Sequence, residues 1–221
     1  CSAPTQSLLR QFWVLSWSEI WFGKVHCLVK SLRVCLLSGG ESRRMGRDKA
    51  LLPHQKGGVW LTAMIDQLMP LGFPVVVVSR HQIHADVLAR RSGLNVVLEP
   101  APWNGPLQAL NCVLPSESDV AWLVLPVDMP RLTTAVFRHL IDVWRLHPNK
   151  AVVAHDGEQL QPQLAIIPSG PPFQTRLSEQ LARGCYRWID WLDQVPYESV
   201  VLPSDCLLNA NWPKDLVAAS E

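Results

Sequence analysis

No C-x-x-C pair occurs among the six cysteines, which stand at positions 1, 27, 35, 112, 185 and 206. Such scatter offers neither a zinc cluster nor a redox dithiol, and reduced thiols are the expectation. Charge of one sign is missing too: 20 Lys and Arg face 19 Asp and Glu, for a net charge of +1. With no global positive field a nucleic-acid partner is not expected, and basic residues matter only where they cluster. The most aromatic stretch is broken by Glu19, Lys24 and His26 before it reaches the length of a spanning helix, so a membrane partner is not expected either. No small-residue cleavage site precedes the first apolar strand, which argues against a cleaved signal and predicts a cytoplasmic protein. The chain also lacks a Walker loop, a G-x-G-x-x-G fingerprint, an internal repeat and a low-complexity linker.

What is present is a globular composition. At 221 residues, with 48% hydrophobic and 18% charged residues, the chain is long enough for one domain with a full core. From Leu32 onward short apolar runs alternate with helical periodicity, which predicts an α/β fold: a three-layer αβα, Rossmann-like domain with a mainly parallel sheet. Strands are predicted at 32–37, 74–79, 94–98 and 120–125, with helices at 58–71, 82–92, 105–114 and 133–146. Asp156-Gly157 between apolar runs at 151–155 and 162–167 predicts a hairpin. A helical stretch near 173–193, a strand at 197–202 and a short helix from Pro213 close the chain. Residues 32–221 are read as that single domain and residues 1–31 as an extension, disordered or a loose helix, in which Trp13, Trp17 and Trp21 would share one face.

The most informative run is Leu36-Leu37-Ser38-Gly39-Gly40-Glu41-Ser42-Arg43-Arg44-Met45-Gly46-Arg47-Asp48-Lys49. It joins the end of an apolar strand to a basic, glycine-containing loop, at the place where open α/β sheets hold their ligands. Glycines let backbone N–H groups approach phosphate oxygens, while arginine and lysine supply charge and donors, so a polyphosphate is the expected ligand. A solvated arginine-rich turn is the plainer alternative. Lys49 and Arg44 are placed to offset the charge of phosphate oxygens. Asp48 is expected to cap the helix that follows or to pair with Arg47. No histidine lies within the run to serve as a base, which disfavours a serine hydrolase. Asp128 follows the apolar run at 120–125 and is flanked by Pro126 and Pro130; a hard carboxylate there suits Mg²⁺ shared with phosphates, although a turn-forming aspartate would look the same.

L-S-G-G-x-S-x-R-M-G-x-D-K-A-L-L resembles the signature of the molybdenum cofactor guanylyltransferases, MobA-like nucleotidyltransferases that join GMP from GTP to molybdopterin. Further pieces follow in family order: Gly105-Pro106-Leu107; Leu125-Pro126-Val127-Asp128-Met129-Pro130; His155-Asp156-Gly157-Glu158 with Gln161-Pro162; and Leu208 to Leu216, which contains Asn209 and Asn211. The resemblance implies Mg²⁺ as cofactor and GTP and molybdopterin as substrates, with transient contact to molybdenum-insertion or acceptor enzymes. It implies Arg44, Lys49 and Asp128 as catalytic residues, Asp128 also as the metal ligand. Leu37, Ser38, Gly39, Gly40, Lys49, Glu99, Gly105 and Asp128 would bind the nucleotide, and Gln161, Arg187, Asn209 and Asn211 the pterin. Glu99 stands where the family usually has aspartate, and Val77 where it often has asparagine, with Ser79 two residues later. Alternatives are a cytidylyltransferase, a sugar-phosphate nucleotidyltransferase, or a nucleotide-binding module without turnover.

No motif lies within residues 1–30, so deleting them is expected to leave the melting temperature of the remaining chain unchanged. Aggregation of the shortened chain would show that the tryptophans cover part of the core.

Overall fold

Alternation of short Val- and Leu-rich runs with amphipathic stretches resolves, in a computed structural model that describes residues 31–40, 46–54, 57–115 and 119–210, into one seven-stranded sheet with helices on both faces. The strands are β1 (Ser31–Leu37), β2 (Val75–Ser79), β3 (Leu94–Leu98), β4 (Val120–Pro126), β5 (Ala151–His155), β6 (Leu160–Pro168) and β7 (Tyr197–Val201). Their spatial order is β3-β2-β1-β4-β6-β5-β7, and β6 alone runs antiparallel to its neighbours β4 and β5. The sheet is therefore mainly parallel, as the sequence predicts. Every residue of β4 is buried, the burial pattern of a central strand covered on both faces.

Side-chain alternation splits the core into two slabs. On one face Val34 and Leu36 of β1, Val77 of β2 and Leu123 and Leu125 of β4 meet α1 (Trp60–Leu68) and α4 (Thr134–Leu146). On the other face Cys35, Leu37, Val78, Trp122 and Val124 meet α3 (Pro106–Asn111), α5 (Phe173–Ala182) and α6 (Trp188–Leu192). Helix α4 shows why such a segment becomes a helix. Thr133 caps its first turn, and Phe137, Leu140, Ile141 and Trp144, spaced at i, i+3, i+4 and i+7, form its buried stripe.

Three predicted helices end earlier than their periodicity suggests. Residues 58–71 give α1 and then a 3₁₀ turn, Met69–Leu71, where Pro70 cannot continue the α-helical ladder and Gly72 (φ 76°) reverses the chain. Residues 82–92 give only α2 (Gln82–Leu88), and residues 105–114 only α3. The stretch 173–193 is two helices rather than one, separated by a turn at Gly184 with φ 74°. The predicted hairpin is present as β5 and β6, with Asp156 closing the turn by accepting hydrogen bonds from the Glu158 and Gln159 N–H groups. Residue 31 of the expected extension already belongs to β1, while residues 1–30, Ser42, Arg43, Arg44, Met45, Asn211 and the helix expected from Pro213 lie outside the described residues. Among the described residues no helix is long and apolar enough to cross a membrane, and Cys35, Cys112, Cys185 and Cys206 are free thiols.

Candidate active site

The chain visits β1, β2 and β3 in one direction and then returns to place β4 on the other side of β1, so the sheet has its topological switch point between β1 and β4. Open α/β sheets leave a crevice there, beyond the carboxyl ends of the strands. Leu37 lies opposite Pro126, and the Val127 N–H donates to the Leu37 carbonyl at 3.0 Å. Ser38, Gly39 and Gly40 leave β1 at the height at which Val127 and Asp128 leave β4.

Lys49 and Asp128 meet across this crevice. Lys49 stands in a 3₁₀ turn, Lys49–Leu51, and its Nζ donates to Asp128 Oδ2 at 2.9 Å and to the Ala210 carbonyl at 3.3 Å. Ala210 in turn donates its N–H to the Asp128 carbonyl at 2.8 Å, which draws the neighbourhood of Asn209 to the same edge. Asn209 itself is exposed. A divalent ion at this edge would find few protein ligands. Among the described residues no three His, Cys, Asp or Glu side chains cluster as a ligand set, so one would be held by the Asp128 carboxylate together with phosphate oxygens and water. That sparse donor set fits a small hard cation.

Asp48 caps the Lys49–Leu51 turn, its Oδ1 accepting the Ala50 N–H at 3.0 Å, in agreement with the capping expectation; its other partner is histidine. Asp48 Oδ2 lies 2.8 Å from His84 Nε2 and 3.9 Å from His81 Nε2. His84 is fully buried, and its Nδ1 lies 2.8 Å from Ser79 Oγ and 3.3 Å from Ser38 Oγ. An Asp-His-Ser line therefore exists although the motif itself contains no histidine. It does not make a hydrolase, because Ser79 is 0% and Ser38 2% exposed, and a nucleophile must reach its substrate. Burial works against the Asp48 charge, but the hydrogen bond and charge of His84, the Ala50 N–H and the charge of His81 hold its carboxyl below the ordinary aspartate range.

The other wall is built at the end of β3. Glu99 is 8% exposed, its N–H bonded to the Ser79 carbonyl at 2.8 Å, and its Oε1 is buried with no hydrogen-bond partner. A Cβ placed on Gly39 would come within 3.5 Å of Glu99 Oε2 and 3.4 Å of the Arg80 amide nitrogen, so the glycine turn runs directly past this carboxylate. Burial pushes the Glu99 carboxyl up, partly offset by the charge of Arg80. Trp103 donates its indole N–H to the Glu99 carbonyl at 3.0 Å, and the Arg80 guanidinium lies over its ring at 5.4 Å. Gly105, with φ 113°, opens α3 just beyond.

Leu37, Ser38, Gly39, Gly40, Lys49, Glu99 and Asp128 thus converge on one edge, with Gly105 starting the adjoining helix. Gln161 sits at the start of β6, on the same side of the sheet because β6 runs backwards, and donates to Asp156 Oδ2 at 2.9 Å. Arg187 belongs to the turn between α5 and α6; its side chain is 78% exposed and 3.4 Å from Asp190. Arg44 and Asn211 fall outside the described residues. His84 of α2, His81 just before that helix, and Trp103 were missed by sequence reasoning. Proximity of Trp103 to Gly105-Pro106-Leu107 was the one available signal; for His84 there was none, since Asp48 and Ser38, which it joins to Ser79, lie 36 and 46 residues away in sequence.

A three-layer sheet with a glycine turn, a lysine and a lone carboxylate at its switch point defines a nucleotide-handling α/β transferase. The model of the MobA-like NTP transferase domain matches residues 34–195, and the chain belongs to that family of nucleotidyltransferases. It is 33% identical over 198 residues to a probable molybdenum cofactor guanylyltransferase of Rhodopirellula baltica, covering 86% of this chain and 92% of that protein. It is 29% identical over 195 residues to the molybdenum cofactor guanylyltransferase of Ectopseudomonas mendocina, covering 85% and 90%. Among solved structures, molybdopterin-guanine dinucleotide biosynthesis protein A of Archaeoglobus fulgidus shares the fold with a TM-score of 0.67 at 19% identity, covering 85% of this chain and 96% of that one. A 4-diphosphocytidyl-2C-methyl-D-erythritol synthase of Anaerococcus prevotii does so with a TM-score of 0.65 at 14% identity, covering 86% and 97%.

The depressed Asp48 carboxyl sets a pH dependence. Its folded-state value lies below its unfolded value, so its contribution to stability is complete above about pH 4, where an unfolded aspartate is ionised, and is lost as pH falls through the lower folded value. The stability difference between the parent protein and Asp48→Asn, measured by urea unfolding, is expected to shrink as pH falls below about 4. A constant difference across that range would show that the Asp48 charge does not contribute.

Proposed function

We propose that the protein transfers GMP from GTP to the terminal phosphate of molybdopterin, with Mg²⁺, releasing pyrophosphate. A phosphate oxygen of the pterin attacks the α-phosphorus of GTP. The bond from that phosphorus to the α,β-bridging oxygen breaks, and the electron pair leaves with pyrophosphate. No covalent enzyme intermediate is needed. The protein's task is to hold two anions in line and to balance charge on the leaving group.

The observation that carries the guanine reading is Glu99, a buried carboxylate with an unpartnered oxygen beside Gly39. An unpartnered buried acceptor costs free energy unless a ligand satisfies it. Guanine presents N1–H and N2–H side by side, which a carboxylate accepts as a bidentate pair. Cytosine presents N3 and O2 acceptors there and would be repelled. In this reading the backbone of Leu37, Ser38, Gly39 and Gly40 lines the nucleotide and Gly105 opens α3 beside the base. Lys49 and Arg44 draw charge from the phosphates, and Asp128 would hold the metal, whose contribution is to neutralise phosphate charge. Gln161, Arg187, Asn209 and Asn211 would receive the pterin. The relatives named as molybdenum cofactor guanylyltransferases support this assignment of substrates. A cytoplasmic location, and hand-over to an enzyme that inserts or accepts the cofactor, belong to the same proposal.

A panel of the four NTPs with molybdopterin and Mg²⁺, read by pyrophosphate release, should single out GTP. Glu99→Ala should raise the KM for GTP about ten-fold or more, the loss of at least one charge-assisted hydrogen bond of roughly 1.5–3 kcal/mol, and leave CTP nearly unchanged. An unaltered GTP/CTP ratio in that variant would remove Glu99 from base recognition, and equal turnover of CTP by the parent protein would favour a cytidylyltransferase.

A further inference from the structure

His84 does not belong to the glycine turn, does not reach the surface and is not required by the chemistry above. It nevertheless holds three separate segments. Its Nε2 meets Asp48 Oδ2 at 2.8 Å, in the loop that leads to Lys49. Its Nδ1 meets Ser79 Oγ at 2.8 Å, at the end of β2, and Ser38 Oγ at 3.3 Å, where β1 passes into the glycines. The Ser79 hydroxyl also accepts the His81 N–H at 3.0 Å, which fixes the entry to α2. A leucine would fill the same volume without desolvating an imidazole, so packing alone does not account for a histidine that is 0% exposed. What the imidazole adds is direction. It holds one oxygen of Asp48, the other oxygen holds the Ala50 N–H at 3.0 Å, and the turn so fixed aims Lys49 at Asp128, 2.9 Å away.

We propose that His84 is a positioning residue for Lys49: acting through Asp48, it sets the 3₁₀ turn from which the lysine meets Asp128 and the phosphates of the nucleotide, without touching the nucleotide itself. Its effect on nucleotide binding rests on the guanylyl-transfer reading, whereas its effect on Lys49 belongs to the free protein. The direct line from His84 to Asp48 carries the device, and the two serine hydroxyls keep the ring from rotating away. Asp48 is thereby kept turned inward, so that a carboxylate next to a polyphosphate site spends its charge on an imidazole rather than repelling the ligand. Removing His84 frees Asp48 and lets Lys49 swing towards solvent.

The test is the acetylation rate of Lys49 by an N-hydroxysuccinimide ester of acetate in the full chain without ligand, read by peptide mass spectrometry against exposed Lys150. His84→Leu, if folded by circular dichroism, should raise the Lys49/Lys150 rate ratio about ten-fold, the equivalent of one lost charge-assisted hydrogen bond. His84→Gln, whose amide can still donate to Asp48, should restore most of the parental ratio. Asp48→Asn should raise the ratio as His84→Leu does, and it decides the matter should His84→Leu fail to fold. In parallel, calorimetry should show weaker GTP binding and unchanged guanosine binding in His84→Leu. An unchanged ratio in the folded variants, or Lys49 and Lys150 accelerating together, overturns the proposal. A raised ratio in a protein that binds no GTP leaves the positioning role standing and removes the guanylyl-transfer reading instead.

Discussion

Leu37 faces Pro126 across two parallel strands, and the Val127 N–H closes on the Leu37 carbonyl at 3.0 Å. Everything at the carboxyl edge hangs on that register. The glycine turn and Asp128 leave the sheet side by side because their strands are locked along seven paired positions, Ser31 to Leu37 against Val120 to Pro126. Slipping β4 by one residue would send Leu123 and Leu125 to the face now held by Trp122 and Val124, exchanging two well-filled slabs. The core thus protects the site's geometry as a consequence of protecting itself.

The Lys49–Asp128 pair is better understood as preparation than as stability. Their side chains are 16% and 27% exposed, and ion pairs with access to water contribute about 0–1 kcal/mol. Charge fixed in place before a ligand arrives is worth more to a transition state, where deleting one such group costs about 3 kcal/mol. In the free protein the lysine and the carboxylate balance each other. In the proposed reaction they part company, the lysine going to phosphate and the carboxylate to the metal. Ala210 ties the two residues together, accepting from Lys49 Nζ and donating its N–H to the Asp128 backbone carbonyl.

The fold was largely legible in the sequence because sheet strands and helix stripes leave periodic marks. Where periodicity and backbone chemistry conflict, the backbone prevails: the apolar spacing over 173–193 conceals the break at Gly184, whose φ of 74° lies where glycine is at ease. The site was legible in so far as it is local. Gly39, Gly40, Asp48 and Lys49 sit in one short run, and Asp128 follows an unmistakable strand. Glu99 entered through a family resemblance, and only the structure shows its carboxylate buried beside Gly39. His84 could not have been found. A histidine within a predicted amphipathic helix carries no mark of the aspartate 36 residues earlier that it holds, because that meeting is made by the crossover from β1 to β2.

The most direct measurement of the central claim is a crystal structure of the protein grown with GTP and Mg²⁺, read for the position of the base and the phosphates. The account predicts the N1 and N2 edge of guanine within hydrogen-bond distance of both Glu99 carboxylate oxygens, and the triphosphate over Gly39 and Gly40 with Lys49 on its outer phosphates. A base bound away from Glu99, or phosphates bound away from the turn between β1 and Lys49, would contradict it.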